Sequence, residues 1–169
     1  GSGDVRFRVL GDTALESDGA SATIGSERQR RLLATLAMGV PDTVPTDRLI
    51  DAVWGDAQPD NAVNALRTVV TRLRHSLDDL EAETGRRVVS RPPGYVLDVP
   101  ADAVDANRFA DLALAGRRRL AEGDLEGARR TQTEALRVWR GPAYAEVADD
   151  PCAQPEATLL ERLWIAARE

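Results

Sequence analysis

Apolar residues recur along the chain with two periods, and each period predicts an element. Val5 to Leu10 alternates Val5, Phe7 and Val9 with Arg6 and Arg8, the two-residue repeat of a half-buried strand. Short β-like pieces at Thr13 to Glu16 and Ala22 to Ile24, around the turn signal Asp18-Gly19, complete a small antiparallel sheet. The repeat then turns helical. Ser26 is placed to cap a helix carrying Leu32, Leu33, Leu36 and Ala37, and Pro45-Thr46-Asp47 opens a short one, Asp47 to Trp54, with Leu49, Ile50, Val53 and Trp54 inward and Gly55 at its end. Asn61 to Leu80 is the longest of this set. Its Val63, Leu66, Val70, Leu73 and Leu77 fall at three- and four-residue intervals on one side, with Asn61 or Asp60 as cap.

Beyond it, Val88-Val89-Ser90 and Tyr95-Val96-Leu97 flank Arg91-Pro92-Pro93-Gly94. The prolines stiffen the bend and Gly94 permits a positive φ, so the segment predicts a rigid hairpin with Arg91 near its turn. After Pro100 the pattern is helical throughout. Asp105 to Ala121 carries Phe109, Leu112 and Leu120, and Asp124 to Trp139 carries Leu125, Ala128, Leu136 and Trp139, with Gly123 turning between them. The pair resembles one tetratricopeptide unit, about 34 residues of helical hairpin. Pro155 to Arg168 adds a third helix with a wide stripe of Leu159, Leu160, Leu163, Trp164 and Ala167. Little sequence remains to cover that stripe, so the chain is expected to be a piece of a longer protein, or the stripe to pack on the first domain or on a partner.

Two helices joined by a short loop and followed by a hairpin make a winged helix-turn-helix. The expected fold is mostly α with small antiparallel β-sheets: a winged-helix domain over residues 4–100, then an all-α tetratricopeptide-like domain over 101–169.

The polar side of the helix Asn61 to Leu80 carries the candidate chemistry. Asn64, Thr68, Thr71, Arg72 and His75 face away from the apolar stripe, Arg67 and Arg74 flank them, and no carboxylate occurs before Asp78. Such a face is either solvated or lies in a DNA major groove, where Arg bonds guanine, Asn bonds adenine and Thr touches a thymine methyl or a phosphate. Arg91 on the hairpin is either solvated or reaches a phosphate or the minor groove. Arg28 and Arg30, at the start of the first helix, face the same choice. Trp54 reads as a core anchor.

Composition narrows the alternatives. All 22 basic residues are Arg, which removes a Walker phosphate loop and Schiff-base catalysis, both of which need Lys. One Cys and one His build neither a disulfide nor a Cys/His zinc site, and His75 has no nucleophile elbow beside it. No enzyme, cofactor or metal site is expected, and Cys152 reads as a reduced thiol. A net charge of −6 argues against indiscriminate nucleic-acid binding but not against a site-specific reader with clustered arginines. No apolar run approaches the roughly 20 residues of a membrane span, so a cytoplasmic location is expected. The leading Gly1-Ser2-Gly3 reads as an expression remnant.

The order VRFRVLG, SERQRRLLATLA, PTDRLIDAVWGD, NALRTVVTRLRHSL, VVSRPPGYVLDV is similar to the SARP-type transcriptional regulators of actinobacteria, named for antibiotic regulatory proteins. The likeness continues through DANRFADLALAGRRRLAEGDLEGARRTQTEALRVWRGPAYAEVADDP, which resembles the start of that family's bacterial transcriptional activation domain. LIDAVWG with RPPGYVL at this separation is the specific part. The resemblance implies an OmpR-type winged helix, sequence-specific binding to DNA with direct repeats near a promoter, activation through RNA polymerase holoenzyme, and a homodimer on the DNA. By position it implies that Arg67, Thr68, Thr71, Arg72 and His75 lie nearest the groove, that Arg91 belongs to the wing, and that the loop Gly55 to Asp60 can face polymerase. Arg67 and His75 depart from common family members, which bears on base preference. The rival reading is a protein-interaction adapter, in which the helical repeats bind a protein and the winged helix reads no DNA.

Overall fold

A computed structural model describes residues 5–169, so the leading Gly1-Ser2-Gly3 and Asp4 lie outside the described residues. Strands β1 (Val5–Arg8), β2 (Ala14–Ser17) and β3 (Ala20–Thr23) form an antiparallel sheet in chain order. Asp18 and Gly19 both take positive φ, 51° and 79°, the pairing a two-residue type I′ hairpin requires. Phe7 pairs with Leu15, and both are buried, so the two-residue period aims its apolar set inward.

Helix α1 (Glu27–Gly39) starts at Ser26, whose hydroxyl accepts from the Gln29 N–H. A two-residue strand β4 (Val44–Pro45) leads into α2 (Thr46–Trp54), which ends at Gly55 with φ 59°. Asn61 caps α3 (Ala62–Leu80) by accepting from the Asn64 N–H. A 3₁₀ turn, Thr84–Arg87, then feeds the hairpin β5 (Val88–Arg91) and β6 (Gly94–Leu97), and the second sheet has the order β4-β6-β5. β4 escapes the sequence pattern because two residues, one of them Pro, show no period.

Leu32, Leu33 and Leu36 of α1 pack with Leu49, Ile50 and Val53 of α2 and with Leu66, Val69, Val70, Leu73 and Leu77 of α3. One expected core position fails: Val63 is 46% exposed, and Val69 is buried in its place. In the first turn of α3 it is Ala62, one position earlier, that packs against the core, so the covered side runs through Ala62, Leu66, Val69, Val70, Leu73 and Leu77. Gly94 does not use the positive φ that glycine permits. A Cβ there would meet the Val44 carbonyl oxygen and lie 2.9 Å from Pro45 Cα, so close passage of β4 is what demands glycine.

Helices α4 (Asp105–Ala121) and α5 (Leu125–Val138) form the expected hairpin about Gly123, φ 85°, with Asp124 capping α5. Helix α6 (Gln154–Arg168) packs across both, and its Leu160, Leu163 and Ala167 are buried. Through this joint Trp139 stacks on Trp164 at a centroid distance of 5.1 Å and meets Phe109 at a 59° tilt and 5.0 Å. Leu120, Leu125 and Leu159, expected to face the core, are instead more than half exposed. The first two stand at the tip of the hairpin, where no third element reaches them.

The two halves share one apolar core and are tied by polar bonds. The Val9 N–H donates to Asp105 Oδ1 (2.8 Å), the Leu10 N–H to Oδ2 (3.3 Å), and the Tyr144 N–H to the Val9 carbonyl (2.8 Å). Burial pushes the Asp105 carboxyl up to about 6, against the lowering pull of those N–H groups and of Arg8. Burial likewise raises the Tyr144 hydroxyl. On the other side of α1, Arg31 donates to the carbonyls of Ala52 and Glu146 (both 2.7 Å) and to Asp149 (2.8 Å). Arg30 pairs with Glu146 at 2.9 Å and Arg48 with Asp150 at 2.7 Å.

Candidate nucleic-acid interface

Helix α3 lies against α1, α2 and the 3₁₀ turn, which leaves its polar side open. Asn64, Arg67, Thr68, Thr71, Arg72 and His75 are all exposed there. Thr68 and Thr71 donate their hydroxyl protons to the carbonyls of Asn64 (3.2 Å) and Arg67 (3.0 Å), one turn back. Each Thr therefore offers a methyl group and an acceptor oxygen to whatever meets the face. Arg67 and Arg72 make no hydrogen bond or ion pair among the described residues, so both guanidinium forks are available as bidentate donors. The nearest acid on the helix is already engaged: Asp78 Oδ1 accepts from the Gly85 N–H at 2.7 Å.

The hairpin is held to this face from two directions. Arg74 donates twice to the Val88 carbonyl, from Nε at 2.9 Å and Nη2 at 2.7 Å, which fixes the base of β5 to α3. Arg74 was expected among the groove-facing flanks, but two of its donors are spent inside the protein and it is only half-exposed. It positions the hairpin. Gly85 makes that approach possible, since a Cβ would press on the backbone of Arg74. At the other end, the Pro93 carbonyl accepts from both the N–H (3.1 Å) and the hydroxyl (3.0 Å) of Thr46. Arg91, paired with Gly94 across the bend, stays exposed on this doubly tethered support.

The arginines of α1 behave differently. Arg30 also donates to the carbonyls of Ile24 (3.1 Å) and Gly25 (2.7 Å) besides its pair with Glu146. Of the two expectations for Arg30, a solvated side chain or a phosphate contact, the structure shows neither: these bonds pin it to the helical half. Arg28 is exposed and lies 5.8 Å over the ring of Trp54, which is half-buried at the edge of the core. Sequence reasoning missed Arg31, Arg48 and Asp105 as structural groups. The acids of Glu146 to Asp150 were a local hint, but their partners lie more than 100 positions away along the chain.

Among the described residues no three His, Cys, Asp or Glu side chains gather as metal ligands would, and no helix is long and apolar enough to cross a membrane.

Comparison with known proteins agrees with this architecture. Residues 21–97 match the family "Transcriptional regulatory protein, C terminal", and residues 104–169 match "Bacterial transcriptional activator domain". The regulatory protein AfsR of Streptomyces coelicolor is 38% identical over 160 residues, covering 94% of this chain and 15% of that protein. The transcriptional regulatory protein EmbR of Mycobacterium tuberculosis is 33% identical over 154 residues, 91% of this chain and 40% of that protein. The solved structure of Mycobacterium tuberculosis EmbR in complex with a low affinity phosphopeptide superposes with a TM-score of 0.86 at 31% identity, covering 99% of this chain and 44% of that one. The chain thus spans well under two thirds of the length of these relatives. A winged helix followed by a helical domain, matched in turn by an OmpR-type regulatory domain and a bacterial transcriptional activator domain, places the chain in the SARP-type family of transcriptional regulators.

Proposed function

We propose that this chain is the DNA-reading and partner-contacting part of a sequence-specific transcription activator. One observation carries the reading: Arg67 and Arg72 stand without partners among the described residues, on a face of α3 that the helical half leaves uncovered. In this reading α3 enters the major groove, Arg67, Arg72 and Asn64 reach base edges, Thr68, Thr71 and His75 line the contact, and Arg91 meets the backbone or minor groove beside it. Arg28, on the first turn of α1, remains a candidate for phosphate. Residues 4–100 form the reading unit and 101–169 belong to the activation unit. The partners are operator DNA with direct repeats, a second copy of the chain on that DNA, and RNA polymerase holoenzyme, approached by the loop Gly55 to Asp60 or by α4 to α6. The protein acts in the cytoplasm, where that DNA is.

Selection of bound duplexes from a random pool tests this. A reader enriches a motif, and its affinity falls with salt as phosphate contacts release counterions. An adapter whose winged helix reads no DNA enriches none, and that result rejects the proposal.

A further inference from the structure

Five arginines converge on one small cavity at the joint of the two halves, away from the polar face of α3. Arg6 and Arg8 come from the same side of β1, Arg108 from the first turns of α4, and Arg137 and Arg140 from the end of α5 and just beyond it. The volume is about 230 Å³, below the roughly 300–1,000 Å³ that encloses a drug-sized ligand and suited to a small anion.

The carboxylates around this cavity do not neutralise it. Glu16 and Glu134 meet Arg140 and Arg108 at 3.3 and 3.4 Å, while Asp105 turns its oxygens to the N–H groups of Val9 and Leu10. Arg6, Arg8 and Arg137 have no carboxylate partner among the described residues; Arg8 makes only a 2.7 Å bond to the Ser21 hydroxyl. Arg108 Nε is buried and meets no acceptor among them. Five guanidinium groups against three carboxylates leave a local excess of positive charge in a chain whose net charge is −6. Like charges gathered this closely repel, and a multivalent anion with several acceptor oxygens relieves that repulsion while using the forked donors.

We propose that the cavity between β1 and the α4–α5 hairpin binds a phosphate-bearing small anion, held by Arg6, Arg8, Arg108, Arg137 and Arg140. Because those residues come from both halves of the chain, the ligand bridges them and stiffens the joint. The site is independent of whether α3 reads DNA.

The test uses the 169-residue chain with inorganic pyrophosphate, by thermal unfolding and titration calorimetry at constant ionic strength. Pyrophosphate is expected to raise Tm above the value in matched chloride, and Arg6→Ala/Arg137→Ala to weaken its Kd by at least about tenfold. Arg137 is exposed and has no partner among the described residues, so Arg137→Ala alone keeps the test valid should the change in β1 disturb folding. Adenosine diphosphate separates the sources: equal affinity points to a free phosphate anion, tighter binding to a nucleotide, and either supports the site. No rise over chloride overturns the proposal. So does an affinity unaffected by Arg137→Ala, or one weakened as much by Arg117→Ala on the exposed side of α4.

Discussion

Arg31→Met separates an arginine that holds the protein together from one that is free for a partner. The Arg31 side chain is 10% exposed and donates to two backbone carbonyls and to Asp149. Methionine keeps much of the packing of the aliphatic stem but removes every donor. Each carbonyl left without its bond costs about 1–3 kcal/mol. Asp149 is 73% exposed, so its ion pair adds at most about 1 kcal/mol after screening by water. The expected loss is therefore about 2–7 kcal/mol, while Arg67→Met, on a side chain with no partner among the described residues, should change stability by no more than about 0.5 kcal/mol. Urea unfolding followed by tryptophan fluorescence measures both, since Trp54 reports on the first half and Trp139 and Trp164 on the second. Arg31 joins α1 to the segment between α5 and α6, so its loss should also separate the transitions of the two halves. An Arg31→Met protein that unfolds within about 1 kcal/mol of the parent, in one coincident transition, would refute the assignment.

Three further outcomes follow from the same geometry. Burial pushes the Asp105 carboxyl up from the ordinary 3.8 to about 6, so the stability it contributes is complete below 3.8 and is lost as pH rises through about 6. The parent should gain about 1 kcal/mol more than Asp105→Asn on going from about pH 7 to pH 5 in urea titrations, and parallel curves would contradict this. Arg72→Ala should weaken specific DNA binding by about 1–3 kcal/mol in a mobility-shift assay with little change in Tm, whereas equal affinity would remove Arg72 from the reading face. Gly94→Ala should destabilise by about 1–3 kcal/mol or more because a Cβ meets the backbone of β4, and an unchanged urea midpoint would show that β4 yields freely.

The sequence was most informative where a period or a cap operates within a few residues. Ser26, Gly55, Asn61 and Gly123 bound their helices as expected, and Asp18-Gly19 turns the first hairpin. The exposed side of α3 was legible for the same reason, because helical spacing alone places Asn64, Arg67, Thr68, Thr71, Arg72 and His75 away from the apolar stripe. Interactions across long stretches of sequence were not legible. Arg30, Arg31 and Arg67 look alike as letters in basic helical runs, and what distinguishes them is the set of distant partners, the segment Glu146 to Asp150 and the carbonyl of Ala52, that the first two meet. Arg74 was read as a flank of the groove face because nothing local shows that the Val88 carbonyl lies beneath it. Apolar periodicity places Leu120 and Leu125 in the core because it does not reveal where the covering element stops, and it places Val63 there because it does not distinguish that residue from its covered neighbour Ala62.

The Arg31 fork has a geometric consequence for the activator reading. With α1 clasped to the segment before α6, the surface of α4 to α6 keeps one bearing relative to the axis of α3. A polymerase contact made from that surface would then point to one side of the duplex. Moving the operator by about five base pairs, half a turn of DNA, would aim it at the opposite side, while a shift of a full turn would restore the alignment.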